Sequence, residues 1–327
     1  MRHLRRPRTS RAVLAASLPV LLLTAGCGEE AAPAPEQQQQ QDALSRVEVV
    51  GGAESPELQV ETPVSVAETV TEVVEEGDDD GRVVEEGDLV AMDVLAVDGG
   101  TGEVLETTYE TESRLVLQAD PATTVPGLVA GVVGQTVGSR VLVGVSPEDF
   151  GASAPGATTA PGSDGSVLLL VDVLSASEVL PDVDGEEVPL PAGLPAVSEG
   201  EGGALTVAAP EGEPPAELRV ETLVRGSGRE VAAGDTVVVD YTGVLWSDGS
   251  VFDSSRGDDR EPFSFALGGG QVIPAWDQGL AGVPVGSRVM VVAPPDQAYG
   301  DQDTGSIPPG STLVFVVDVL AAESSTR

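Results

Sequence analysis

Eight of the ten aromatic residues in this 327-residue chain fall between Tyr241 and Phe315: Tyr241, Trp246, Phe252, Phe263, Phe265, Trp276, Tyr299 and Phe315. A carboxylate, Asp253, stands directly after one of these rings. Reactive side chains are scarce by contrast. The only His is His3, the only Cys is Cys27, and all 16 bases are Arg. From Gly28 onward the chain therefore excludes Ser-His-Asp and Cys-His nucleophilic catalysis and His-ligated zinc. Without Lys it makes neither a Schiff base nor a Ser-Lys pair. A lone Cys forms no internal disulfide. Any catalysis here has to work without the usual nucleophiles.

The elements that position these rings belong to an internal repeat. Glu57-Leu58-Gln59-Val60-Glu61-Thr62 recurs as Glu217-Leu218-Arg219-Val220-Glu221-Thr222, at an offset of 160. Gly87-Asp88 recurs as Gly234-Asp235, Val137-Gly138-Ser139-Arg140-Val141 as Val285-Gly286-Ser287-Arg288-Val289, and Val171-Asp172-Val173-Leu174 as Val317-Asp318-Val319-Leu320, at offsets of 147, 148 and 146. The pattern implies two tandem domains of one fold, over 57–177 and 217–322. Segment 178–216, rich in Pro, Gly and Glu, reads as a linker, and 323–327 as a tail. The first copy carries Val94 at the Tyr241 position, Leu105 at Phe252, Leu128 at Trp276 and Leu169 at Phe315. A fold that packs without those rings in one copy does not need them merely to fill a core.

Local patterns in the second copy are mostly strand-like. Val237, Val239 and Tyr241 alternate with Val238, Asp240 and Thr242. Asp248-Gly249 is a hairpin turn between Leu245-Trp246 and Val251-Phe252. Leu313, Phe315, Val317 and Val319 share one face of a last strand. One short helix is expected near Pro274 to Leu280, with Pro in its first turn and Gly282 just beyond. The fold class is α+β, an antiparallel sheet folded over a small helix.

Six segments occur in order in the second copy: Asp240-Tyr241-Thr242-Gly243, Phe252-Asp253-Ser254-Ser255-Arg256, Pro262-Phe263-Ser264-Phe265, Val272-Ile273-Pro274-Ala275-Trp276, Ala298-Tyr299-Gly300 and Ile307-Pro308-Pro309. Together they resemble the FKBP-type peptidyl-prolyl cis-trans isomerases, the immunophilins that bind tacrolimus, over Leu218 to Ala322. The first copy resembles the family only weakly. The resemblance implies an aromatic pocket between sheet and helix in each FKBP-like domain that keeps its rings. Trp276 matches the pocket floor, and Tyr241, Phe252, Phe263, Val272, Ile273, Tyr299 and Phe315 match its walls. Ile307 matches a loop residue over the rim. The Ile273 N–H and the Tyr299 hydroxyl match donors to ligand carbonyls, and Asp253 matches a ligand-bonding carboxylate. The resemblance also implies macrolide immunosuppressant binding and no cofactor.

Three departures bear on efficiency and drug affinity. The loop from Phe252 to Phe263 is one residue longer than the common spacing. The Arg that usually pairs with the pocket carboxylate gives way to Asp258 or Asp259, with Arg260 next in line to reach Asp253. The position that is often His aligns with Asp303. In the first copy, Phe150-Gly151 replaces Tyr299-Gly300 and the rest of the cage is aliphatic, so it is expected to be poorly active on prolyl bonds. It would instead position its neighbour or hold client chains.

The implied reaction suits this residue set. Rotation about an X-Pro bond faces a barrier of about 18–20 kcal/mol from amide resonance, and its two isomers differ by only about 0.5–1 kcal/mol. No bond breaks. A dry pocket favours the less dipolar twisted amide, and a few fixed donors hold the rotating carbonyl.

The rest of the chain gives its setting. Arg2, Arg5, Arg6, Arg8 and Arg11 precede an apolar run from Ala12 to Ala25, too short to span a bilayer, which takes about 20 residues. Leu23-Thr24-Ala25-Gly26-Cys27 resembles a bacterial lipobox. That implies a signal peptide over 1–26, a lipid on Cys27 and an extracytoplasmic, membrane-anchored protein. Residues 27–56, with a Gln run from Gln37 to Gln41, read as a disordered tether of roughly 30 Å reach. With 54 acids against 16 bases and a net charge of −38, nucleic acid is excluded as a partner. Asp78-Asp79-Asp80-Gly81 and Asp301-Gln302-Asp303 lack the spacing of a calcium loop, so no metal is expected. The expected partners are exported polypeptides containing X-Pro bonds. The alternative is a non-catalytic surface chaperone or scaffold for the same clients.

Overall fold

A computed structural model describes residues 43–150, 166–200, 203–257 and 261–327. Cys27 and the signal peptide, most of the tether, and Asp258, Asp259 and Arg260 lie outside them. The first domain opens on a hairpin of β1 (Val47–Gly52) and β2 (Ser55–Val60). Then come β3 (Val70–Glu75), β4 (Leu89–Asp98), β5 (Val104–Thr107), β6 (Leu115–Gln118), α1 (Pro126–Val132), β7 (Arg140–Val145), α2 (Pro147–Phe150) and β8 (Val167–Ser177). The second has β9 (Gly185–Glu187), a hairpin of β10 (Val197–Glu199) and β11 (Leu205–Val207), then β12 (Arg219–Gly226), β13 (Asp235–Leu245), β14 (Val251–Ser254) and β15 (Phe263–Ala266). It ends with α3 (Pro274–Gly279), β16 (Arg288–Ala293) and β17 (Leu313–Ser324).

Both sheets are antiparallel with one strand order. The first runs β3-β7-β8-β4-β5 with β6 on β4; the second runs β14-β13-β17-β16-β12 with β15 on β13, and β9 added at its edge. Each carries one short helix against one face, Leu128 and Val129 of α1 in the first and Ala275 and Trp276 of α3 in the second. The fold class is the expected α+β arrangement of tandem domains, mostly strand.

The strand pairing corrects one of the sequence matches. Thr222 of β12 lies opposite Val289, and Val73 of β3 lies opposite Val141. The counterpart of β12 is thus β3, whereas Glu57-Leu58-Gln59-Val60 lies in the β1–β2 hairpin. The match at offset 160 joined unlike elements. Short alternating strands of Glu and Val look alike wherever one face is wet.

The tether and the linker are also shorter than expected. Val47 to Gly52, assigned to the tether, pair with Ser55 to Val60. Within 178–216, β9 pairs with β12 and β10 pairs with β11. Each hairpin covers the sheet face away from the helix. In the first domain Leu44, Val47 and Leu58 pack on Leu142, Leu168 and Leu170. In the second Leu205 and Val207 pack on Val244, Trp246, Met290, Val292, Val314 and Val316. The physical reason is in the strands: β16 and β17 are apolar on both faces, so both faces need cover. Leu44 and Leu194, each three residues before the first hairpin strand, occupy matching places.

Buried Arg–Asp pairs pin these covers. Arg140 meets Asp172 at 2.7 Å and reaches the Ala53 carbonyl at 3.3 Å. Arg288 meets Asp318 at 2.6 Å and Glu199 of β10 at 3.0 Å. Arg256 also meets Asp318 and donates to the Gly203 carbonyl. Burial lowers the Arg256 pKa, and Asp240 partly offsets this.

The tail read at 323–327 is built into the structure. Glu323 and Ser324 complete β17. Arg327 meets Asp93 of the first domain at 2.7 Å, Ser325 accepts from the Arg114 N–H, and Leu89 packs on Val238 and Ala321.

Candidate functional site

Strand alternation sets the site. One face of β13 carries Val237, Val239, Tyr241 and Leu245 toward α3, while Val238, Thr242 and Val244 face away. Phe315 comes from the neighbouring strand β17, opposite Gly243. Phe252 and Asp253 come from β14, and Phe263 from β15. Pro274 occupies the first turn of α3, where its missing N–H costs nothing. Ile273, extended just before it, accepts from the Trp276 N–H at 2.9 Å. Asp277 anchors the preceding turn by accepting from the Gly268 and Gly270 N–H groups at 2.8 and 3.3 Å.

The rings meet around Trp276. Its centroid lies 5.1 Å from Tyr241, 5.4 Å from Phe315, 5.6 Å from Phe265 and 6.3 Å from Phe263, mostly edge to face. Phe252 meets Phe315 edge-on at 5.5 Å. Such contacts favour one arrangement of each ring over its alternatives. Trp276 and Phe315 are each 4% exposed, whereas Phe263 is 40% and Tyr299 38% exposed. The site is therefore dry at the floor and open at the lip.

Above Trp276 is a cavity of about 370 Å³. It is lined by Tyr241, Phe252, Asp253, Phe263, Val272, Ile273, Trp276, Tyr299 and Phe315, all singled out in the sequence, together with Gln271, Pro274 and Ala298. The last three were missed, although each adjoins a named residue in a matched segment. Ile307 departs from expectation. It is 5% exposed, belongs to the same buried cluster as Trp276 and Phe315, and is not among the lining residues. Its apolar side chain is buried among core neighbours, where it is shielded from water.

Polar groups are few and specific. The Tyr241 hydroxyl donates to Asp253, whose other oxygen accepts from the Ser254 N–H at 2.9 Å. Ser255 accepts from the Tyr241 N–H and donates to Asp240, both at 2.8 Å. Ile273 and Tyr299 line the cavity wall, bringing a backbone N–H and a hydroxyl to it. No grouping of His, Cys, Asp and Glu able to hold a metal occurs among the described residues. An enclosed aromatic floor, two donors at the wall and one fixed carboxylate can hold a small apolar ring beside a carbonyl.

The first domain's counterpart is aliphatic. Val94, Leu105, Leu115, Leu128 and Leu169 pack together with Phe150.

Known proteins resemble parts of this chain. A family model described as FKBP-type peptidyl-prolyl cis-trans isomerase matches residues 227–320. The FK506-binding protein of Streptomyces anulatus is 47% identical over 116 residues, covering 34% of this chain and 91% of that protein. The peptidyl-prolyl cis-trans isomerase Fkbp12 of Drosophila melanogaster is 50% identical over 91 residues, covering 28% of this chain and 82% of that protein. The crystal structure of the three FKBP domains of wheat FKBP73 aligns at 22% identity and a TM-score of 0.31, over 78% of this chain and 95% of that one. The chain belongs to the FKBP-type peptidyl-prolyl cis-trans isomerase family, and the isomerase domain is its C-terminal one.

Proposed function

We propose that the second domain accelerates X-Pro rotation in exported proteins by taking the prolyl ring into the cavity above Trp276. The observation that carries this reading is the convergence of Tyr241, Phe252, Trp276 and Phe315 from four elements onto one cavity. Aromatic walls remove water from the amide and stabilise its twisted, less dipolar form. The Ile273 N–H and the Tyr299 hydroxyl hold carbonyl oxygens flanking the rotating bond, and Asp253 meets a substrate N–H. Macrolides carrying a pipecolyl-like ring would occupy the same cavity, as the FK506-binding names of the relatives suggest.

Export and anchoring rest on the sequence. The basic, apolar and Leu23-to-Cys27 segments read as a lipoprotein signal, with the lipid on Cys27 holding the enzyme at the outer face of a bacterial membrane.

A protease-coupled isomerisation assay on an X-Pro peptide tests the catalytic reading. The full chain should accelerate isomerisation, and Phe252→Ala should lower kcat/KM by about 10–100-fold. Peptide binding without rate acceleration would indicate a chaperone or scaffold instead.

A further inference from the structure

Gly243 lies mid-strand in β13, opposite Asp253 on β14 and Phe315 on β17, on the face that carries Tyr241 and Leu245. The β13–β14 register shifts just after it. It is not among the glycines with positive φ, so backbone conformation does not require it. Space does. A Cβ on Gly243 would lie 2.6 Å from the Phe252 Cζ and 2.9 and 3.1 Å from the two ring carbons beside it. The tip of the Phe252 ring rests on the bare Gly243 backbone, with its flank edge-on to Phe315.

The first domain supplies an internal contrast. β4 pairs with β5 as β13 pairs with β14, and Ala96 occupies the place of Gly243. There Leu105 replaces Phe252 and packs into the aliphatic core. A side chain on the strand goes with a smaller wall, and a bare strand goes with a ring.

We infer that Gly243 is a specificity-determining position: its missing side chain seats Phe252 against the sheet and so sets the width of the cavity for a five-membered prolyl ring. With Ala in its place the ring tip must leave the strand. Phe315 blocks one flank, and the space that remains open is the cavity. The group displaced is the far end of a side chain, so the sheet itself can stay intact while the cavity narrows. Gly243 touches no substrate and acts through Phe252. The inference rests on the prolyl reading of the cavity.

The test is a double-mutant cycle in the full chain, comparing Gly243→Ala, Phe252→Leu and the double variant. Thermal unfolding, KM and kcat for an X-Pro peptide, and NOEs between the Phe252 and Phe315 rings without substrate are followed. Gly243→Ala should raise KM by about tenfold with kcat changed less than about twofold, and should abolish the ring–ring NOEs. In the Phe252→Leu background the same change should leave KM unaltered. Equal effects of Gly243→Ala in both backgrounds, or retention of wild-type KM and NOEs in the single variant, would overturn the inference. If Gly243→Ala does not fold, recovery of folding in the double variant supports it and failure of that variant contradicts it. An unmodified chain that neither binds nor isomerises the peptide defeats the prolyl reading alone, and the NOEs then decide the role of Gly243.

Discussion

At the scale of single residues, the site separates apolar shape from a small set of polar atoms. Trp276 and Phe315 are nearly closed to solvent, so their contribution is fixed floor and wall. Tyr241 has two roles, since its ring packs on Trp276 and its hydroxyl donates to Asp253. Tyr241→Phe keeps the first and removes the second. Because the bond is solvent-exposed, the change should cost no more than about 1 kcal/mol of stability. Asp253 would then be less firmly aimed at a substrate N–H. We expect kcat/KM to fall by about three- to tenfold with the melting temperature nearly unchanged. A fall of 100-fold, or none, would show that the hydroxyl has a different task.

Nine of the twelve lining residues were legible in the sequence because family motifs carry them in matched segments. Ile307 was expected on a loop over the rim and is buried in the core cluster. A motif fixes where a loop lies along the chain, but it does not tell whether an apolar side chain on that loop faces ligand or core. The role of Gly243 was invisible for a related reason. The sequence shows a glycine in a strand, and only the ring packed on it gives the glycine a reason.

At the scale of elements, the hairpin cover changes what counts as a domain. Sequence patterning gave the helix, the final strand and the Asp248-Gly249 turn correctly, since each has strong local chemistry. It missed β9 to β11, which are short, rich in Gly and Glu, and apolar at only a few positions. A usable signal lay elsewhere: Met290, Val292, Val314 and Val316 make β16 and β17 apolar on the face away from the helix, and that face demands cover. Leu205 is 7% exposed. Leu205→Ala in the full chain should therefore cost about 2–4 kcal/mol in denaturant unfolding of the second domain. A free linker would tolerate the same change within about 0.5 kcal/mol. A shift that small would refute the cover.

At the scale of the whole molecule, the two copies keep one frame and differ in their interiors. They share strand order, hairpin cover and a buried Arg–Asp pair; among the described residues the aromatic cavity belongs to the second, and the matching interior of the first is aliphatic. The end of the chain returns from the second domain to the first, where Arg327 meets Asp93 and the Ser325 carbonyl accepts from Arg114. The first domain thus contacts the second through the chain end that follows β17, and has an aliphatic interior at the place matching the cavity. A net charge of −38 suits solubility and leaves the apolar cavity as the place where an unfolded segment gains most from binding.

Both Trp residues of the chain lie in the second domain, on opposite faces of its sheet: Trp276 on the cavity side and Trp246 under the hairpin. NOEs between the proline ring of a bound X-Pro peptide and the indole protons therefore give a direct reading of where the prolyl group sits. Strong NOEs to Trp276 and none to Trp246 are expected, disappearing when Phe252→Ala opens the wall. Isomerisation that persists with no proline contact to Trp276 would contradict the assignment of the reaction to this cavity.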